Sequence, residues 1–180
     1  LAAAALLIGS IALPYWNMTL LAPQYPKGLH VQAYVDKLTG DVFEVDGLNH
    51  YIGMMPLNSA ASIERGISVF AIVTIAIAAL ASVALRGGWR IAARIPIVIY
   101  PIVFLADLYA WLAYAGHSLN PHAALSSSIK PFTPHMLGPG KIGQFGTDAS
   151  FGPGFYLAVA AALIVVLATI WSWRSDDAAR

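Results

Sequence analysis

The residues best suited to chemistry are histidines and methionines that stand close together at two points of the chain. His50 precedes Met54 and Met55 by four and five residues, and Met136 directly follows His135. Imidazole and thioether ligands without thiolate are the set expected for Cu(I) in an oxidising compartment, and the chain has no cysteine. One interpretation is therefore a copper site or copper-contact surface built from these five residues.

The same residues also have an ordinary structural explanation, because histidines collect in polar loops and methionines beside a membrane commonly serve as packing residues. In residues 48–57, Gly53 predicts a fixed turn in the chain. Tyr51 and Ile52, next to this turn, would pack against the second loop or against a partner. We expect this segment to act first as a rigid docking element and second as a metal ligand, with Trp16 as a further docking residue.

Asp107 is the one acidic residue within a long apolar segment, residues 95–115. A carboxylate in the bilayer is costly, so it faces protein or water and is a candidate for proton transfer or ion binding. A tyrosine hydroxyl of the same segment could hydrogen-bond it. The alternative to a functional role is a polar clamp between helices, or a protonated carboxyl that is satisfied by a carbonyl. Because no second ionisable residue lies within any predicted span, a proton relay would lack a group to receive the proton from Asp107. We therefore favour the clamp.

Enzyme motifs are missing from the sequence. It contains neither a Gly-x-Ser-x-Gly nor a His-Glu-x-x-His motif, and Gly138-Pro139-Gly140-Lys141 lacks the spacing of a phosphate-binding loop. The absence of cysteine excludes disulfides, a thiol nucleophile and haem attachment through cysteine. A net charge of +1 gives no support for nucleic-acid binding. We expect neither an enzyme nor a nucleic-acid-binding protein.

Composition indicates an integral membrane protein, because 58% of residues are hydrophobic and only 11% are charged, against about 25% charged in soluble domains. Residues 66–85, 95–115 and 155–173 are each apolar over the roughly 20 residues that a transmembrane helix needs. Residues 1–21 are predicted to form the first transmembrane helix. Their apolar run, 1–13, is short, so preceding residues would have to complete the span, and a cleaved signal peptide is the alternative.

The predicted fold is an all-α integral membrane protein with four transmembrane helices and two long loops. In the first loop, residues 22–65, apolar and polar residues alternate over 29–35 and again over 42–45, which predicts a small β-hairpin. A helix is expected to begin near the end of this loop, with Asn58 or Ser59 as its cap.

Charge asymmetry predicts the orientation of the chain. The turn at 86–94 and the tail at 174–180 hold five arginines in sixteen residues, whereas the loops 22–65 and 116–154 hold five basic residues in more than eighty. The positive-inside rule places the turn, the tail and both termini in the cytoplasm. For a bacterial chain, the expected location is the inner membrane, with both long loops in the periplasm.

Several stretches carry a resemblance to a known family. They are Pro14-Tyr15-Trp16, residues 22–29, Leu48-Asn49-His50-Tyr51-Ile52-Gly53-Met54, residues 117–124 and Phe132-Thr133-Pro134. With them the chain resembles an uncharacterised bacterial four-span membrane family that is associated with gene clusters for nitrous oxide reductase maturation and related copper respiration. The resemblance implies a link to copper-dependent respiration and matches Asp107 to the family's intramembrane acid. The chain departs from the family pattern at Ser127-Ser128 and at Pro134-His135.

Two functions are compatible with these features. The first is a non-catalytic accessory subunit that docks to a larger respiratory or photosynthetic electron-transfer complex. Small residues that recur along 66–85 and 155–173 favour it, because they allow close packing with neighbouring helices. The alternative is a periplasm-facing copper-handling or maturation protein for a copper respiratory enzyme. We expect the accessory subunit, with complex subunits and the lipid bilayer as partners; a transporter would need repeats or polar-lined helices.

Overall fold

The computed structural model describes the backbone of residues 1–178 and the side chains of residues 1–174. The helices and strands, in chain order, are α1 (Ala2–Ser10), β1 (Trp16–Ala22), β2 (Tyr25–Ala33), β3 (Leu38–Gly40), α2 (Val42–Ile52), α3 (Ser62–Ala81), α4 (Gly87–His117), β4 (Gly138–Ile142), β5 (Phe145–Phe151) and α5 (Pro153–Ala178). The five strands form one antiparallel sheet of order β3-β2-β1-β5-β4. The protein is therefore mixed α/β, and the predicted all-α fold with four spans is wrong.

The predicted first span, residues 1–21, divides into a short helix and a strand. α1 ends at Ser10, and Pro14 interrupts the chain before β1 begins at Trp16. A residue before proline is biased away from the helical region, which favours the break. β1 then becomes the central strand, because β2 pairs with one of its edges and β5 with the other. These long-range pairings, which hydropathy does not report, prevent the segment from forming one spanning helix.

The predicted hairpin between residues 29–35 and 42–45 does not form. β2 instead makes its hairpin with β1, and its other edge pairs with the short β3. Residues 42–45 are the first turn of α2, whose buried positions follow helical spacing: Val42, Val45, Leu48, Asn49 and Ile52. Over four residues, helical and strand periodicities are difficult to distinguish, so the local alternation was misleading.

Three helices, α3, α4 and α5, are long and apolar enough to cross a membrane. They contain most of the predicted spans 66–85, 95–115 and 155–173. α4 is longer than predicted, because it begins at Gly87 and takes in most of the expected turn at 86–94. α3 begins at Ser62, after a separate 3₁₀ turn over Leu57–Ser59, so the predicted cap at Asn58 or Ser59 belongs to that turn.

The second long loop, 116–154, contains the hairpin of β4 and β5, which the sequence interpretation treated as irregular chain. Glycine and proline at the start of β4 conceal it, although proline is tolerated in an edge strand. β5 joins the sheet by pairing with β1, with Trp16 opposite Phe151. Both loops therefore contribute strands to one sheet.

The molecule has two hydrophobic clusters, one for the helices and one for the sheet. In the first, α1 packs against α3 and α5, and α4 packs against the same two helices, so that α1 occupies the fourth position of a bundle. Its buried members include Leu7, Tyr15, Ile72, Ile97 and Ala158. In the second, the sheet packs against α2 and the 118–137 segment; its buried members include Leu20, Val31, Val45, Ile142 and Phe145.

Tyr15 joins the helical bundle to the sheet. Its side chain is fully buried, and its hydroxyl lies 2.6 Å from Ser10 Oγ at the end of α1. Its backbone N–H donates to Ala33 O of β2, and its carbonyl accepts from the N–H of Gly152. Burial raises the pKa of the Tyr15 phenol, so the hydroxyl stays protonated. One residue thus contacts both layers.

Candidate functional site

α2 lies on the sheet and presents two contrasting faces. Its buried face packs into the second hydrophobic cluster, the one of the sheet, which we call the sheet cluster. The start of the helix is held to β2 at Asp41, whose Oδ2 accepts a hydrogen bond from the backbone N–H of His30 at 2.8 Å. Its opposite face consists of the exposed residues of the helix: Phe43, Glu44, Gly47, His50 and Tyr51. We call these five residues the α2 outer face.

The α2 outer face places two aromatic rings at the surface. Phe43 is 86% exposed and Tyr51 is 55% exposed. Gly47 lies between them on the helix and has open space where a side chain would project. The ring of His50 stands 6.3 Å from that of Tyr51 in an edge-on arrangement. Aromatic side chains are enriched in protein–protein interfaces, and these two exposed rings make the face a candidate binding surface, with Glu44 as its one acidic residue.

Residues 48–57 are held in place from both sides. Gly53 ends α2 in the left-handed conformation, with φ of 82°. Its carbonyl accepts from the N–H of Asn120 at 2.8 Å, and the carbonyl of Tyr51 accepts from the N–H of Leu125 at 2.9 Å. At the far end, the N–H of Leu57 donates to Asp46 Oδ1 at 2.6 Å. Residues 48–52 are therefore the end of α2, and residues 53–57 form a fixed turn; hydrogen bonds tie this part of the chain to the second loop.

Gly53→Ala is expected to loosen this turn by about 1–2 kcal/mol, the cost of a left-handed residue with a side chain. The added Cβ would also lie 2.7 Å from Asn120 O. Hydrogen exchange should therefore accelerate at the amides of Asn120 and Leu125, which donate to this turn. Gly47→Ala is the matched control, because Gly47 lies on the same helix in open space. Equal exchange in both variants would contradict the assigned role of Gly53.

The residues predicted as copper ligands occupy different surroundings. His50 is exposed on the α2 outer face, whereas Met54 is partly buried against the sheet cluster. The next residue, Met55, is half-buried. His135 is exposed, with Nδ1 2.8 Å from Pro139 O, and Met136 is half-buried. Among the residues that the structure describes, no group of three or more His, Asp or Glu side chains is placed to hold a metal ion.

The three residues predicted to dock differ in exposure. Tyr51 presents its ring at the surface, whereas Ile52 is buried in the sheet cluster. Trp16 is also buried, and its indole N–H donates to Met136 O at 2.8 Å. Ile52 therefore supports α2 from beneath, Trp16 is engaged with the second loop, and Tyr51 is the one of the three that a partner can reach in this conformation.

Asp107 lies half-buried on α4, within electrostatic range of Glu64. Glu64 was placed in a loop by the sequence interpretation, but α3 begins at Ser62 and takes Glu64 into its first turn. A second ionisable group therefore stands near Asp107, in the first turn of a helix that is long and apolar enough to cross a membrane.

Sequence reasoning missed Phe43, Glu44 and Gly47, the three residues that complete the α2 outer face. The signal was present, because Val42, Val45 and Ile52 follow helical spacing and so predict which residues between them point outwards. The assignment of residues 42–45 to a strand concealed this pattern. Recognition of the helix would have placed Phe43 on the same face as His50.

Comparison with known proteins finds no significant match to this chain among protein-family models, curated proteins or solved structures.

Proposed function

We propose that this protein is a non-catalytic accessory subunit of a larger membrane complex, and that it docks to its partner through the α2 outer face. The observation that carries the proposal is the exposure of Phe43 and Tyr51 on a helix that is otherwise well anchored to the sheet. Aromatic residues fixed on a rigid element lose little conformational entropy on binding, and such residues dominate interface energies.

The helices supply a second contact with the surroundings. In α3 and α4, only 11% of the most apolar 18-residue window is buried within the chain. Large apolar residues such as Phe70, Ile102 and Val103 point outwards. These surfaces suit the bilayer and the apolar helices of a neighbouring subunit. In this proposal the helices hold the protein in the membrane, and the sheet presents α2 to the partner on the outer side.

The kind of partner that we propose rests on the sequence resemblance. The stretches that carry the resemblance suggest a link to copper-dependent respiration, so the partner we propose is a cofactor-bearing subunit of an electron-transfer complex. By the positive-inside rule, we further propose that the sheet and α2 face the periplasm of a bacterial cell. α2 would then meet the periplasmic side of that complex.

A copper-handling role fits the geometry less well. Among the proposed ligands, Met54 is engaged in the sheet cluster while His50 points outwards on α2. His135 already has Nδ1 against Pro139 O, which leaves its Nε2 as the ring nitrogen open to a ligand. The accessory-subunit role needs only that Phe43 and Tyr51 are exposed, as they are in this conformation.

Removal of both rings should break the docking. Phe43→Ala with Tyr51→Ala is expected to weaken retention of the partner complex at least tenfold, because each interface aromatic commonly contributes more than about 1 kcal/mol. The measurement is the amount of electron-transfer complex retained by the tagged full chain from gently solubilised native membranes. Leu137→Ala is the matched control, since Leu137 is an apolar side chain that is 60% exposed away from α2.

A photo-crosslinking residue at position 43 provides the second measurement, with position 137 as its control. Adducts to a haem-, copper- or pigment-bearing subunit should form at position 43 and not at position 137. Equal adducts at the two positions, or full retention of the complex by the double variant, would exclude the α2 outer face as the docking surface.

A further inference from the structure

A groove runs between α4 and α5 near the start of α4. It has a volume of about 250 Å³ and is almost wholly apolar. Its lining residues follow helical spacing on both helices: Ile91, Ile95, Val98, Ile99, Val166 and Ile170. Eight residues separate Ile91 from Ile99, so the groove extends about 12 Å along the helix axis. Its length and apolar lining suit a hydrocarbon chain.

One charged residue, Arg94, lines this groove among its apolar residues. Its Nη1 donates to Thr169 Oγ1 of α5 at 2.9 Å, and its Nε donates to Ser82 Oγ at the end of α3 at 3.4 Å. Both hydroxyls donate their own protons to backbone carbonyls, so they accept from the arginine and fix its position. Within the side chains of residues 1–174, no carboxylate forms an ion pair with Arg94.

Arg94 stands at the start of the apolar part of α4. The twenty residues that follow it, 95–114, contain no lysine or arginine, have Asp107 as their one acidic residue, and are long enough to cross the hydrocarbon layer. Trp89, just before Arg94 on α4, and Trp171, just after Thr169 on α5, are exposed, as expected of an interfacial aromatic belt. In a bilayer, Arg94 is therefore expected near the headgroups, with the part of the groove lined by Ile95, Val98 and Ile99 on its apolar side.

We propose that this groove binds an anionic phospholipid, with the phosphate on the Arg94 guanidinium and one acyl chain along the groove. The charge of Arg94 is uncompensated in the described chain, and its two hydroxyl partners are neutral. A phosphate supplies the opposite charge and accepts hydrogen bonds from a guanidinium in a paired geometry. An apolar partner helix would fill the groove but leave this charge unpaired in a region of low dielectric.

Lipid-dependent stability of the purified full chain tests the proposal. Phosphatidylglycerol should raise the melting temperature saturably and should remain bound in native mass spectra. Phosphatidylcholine with the same acyl chains and soluble glycerol phosphate should not. Arg94→Gln is expected to weaken this binding at least tenfold. Arg86→Gln, which removes the same charge at an exposed residue outside the groove, should leave it unchanged.

A second variant keeps the test valid if Arg94→Gln fails to fold. Ile99→Trp retains the charge of Arg94 but fills the groove with a larger side chain, at a position where the isoleucine is 45% exposed. This variant should also lose the bound lipid. Equal losses in Arg94→Gln and Arg86→Gln, or equal stabilisation by the two lipids, would overturn the proposal. So would a photo-crosslinker at position 99 that captures a polypeptide rather than lipid. These outcomes are independent of the α2 docking test.

Discussion

Tyr15→Ala is expected to lower the free energy of unfolding by about 3–5 kcal/mol, the range for removal of a large buried aromatic ring. The centroid of the Tyr15 ring lies 5.0 Å from that of the Phe104 ring. It lies 6.2 Å from the centroid of the Tyr100 ring, which it meets edge-on. Its hydroxyl donates to Ser10 Oγ, which itself donates to Leu7 O. Alanine would leave a cavity where the bundle meets the sheet.

The measurement is the free energy of unfolding of the full chain in mixed micelles, from a titration with SDS in which circular dichroism monitors the helix content. Tyr15→Phe is the control, since it keeps the ring contacts and removes only the hydrogen bonds of the hydroxyl, with Ser10 and Tyr100. It should cost about 0.5–1.5 kcal/mol for each bond. If Tyr15→Ala costs no more than Tyr15→Phe, the ring does not hold the two layers together.

Gly152→Ala is expected to cost about 3 kcal/mol, at the upper end for overpacking of a tight site. Gly152 stands between β5 and α5, and its N–H donates to Tyr15 O at 2.9 Å. An added Cβ would lie 2.1 Å from Pro14 O and 2.7 Å from Pro14 C. A backbone carbonyl cannot rotate away as a side chain can. The backbone at Pro14 or at Gly152 would therefore have to move.

Gly66→Ala is the matched control for this prediction. Gly66 lies within α3 with open space around its Cα, so alanine should stabilise the helix by about 0.5–1 kcal/mol. The two variants should therefore shift the same SDS titration in opposite directions. A Gly152→Ala protein as stable as the Gly66→Ala protein would show that the close approach of Pro14 to Gly152 is not required.

The three helices that are long and apolar enough to cross a membrane were predictable, because hydropathy is a local property. Residues 66–85 carry no charge over a full span, and no tertiary contact is needed to recognise such a segment. The ends of the helices were less predictable. α4 continues through Arg90 and Arg94, since arginine is a good helix former and its side chain can reach the headgroup region.

The candidate site was predictable in part. The 48–57 segment was recognised as a turn from Gly53, and the structure gives that glycine a left-handed conformation and a contact with Asn120. Tyr51 was predicted as a docking residue, but Phe43 on the same exposed face was not, because residues 42–45 were assigned to a strand rather than to α2. The resemblance to a copper-associated family could not supply this placement either.

The sequence by itself determined the composition of a membrane protein, three apolar helices and a fixed turn at Gly53. Each depends on residues that are neighbours in the chain. Only the tertiary structure decided that Trp16–Ala22 is a central strand and that Phe145–Phe151 pairs with it. A strand is stabilised by hydrogen bonds to distant residues, so a segment at the membrane boundary becomes strand or helix according to the partners that the rest of the chain brings to it.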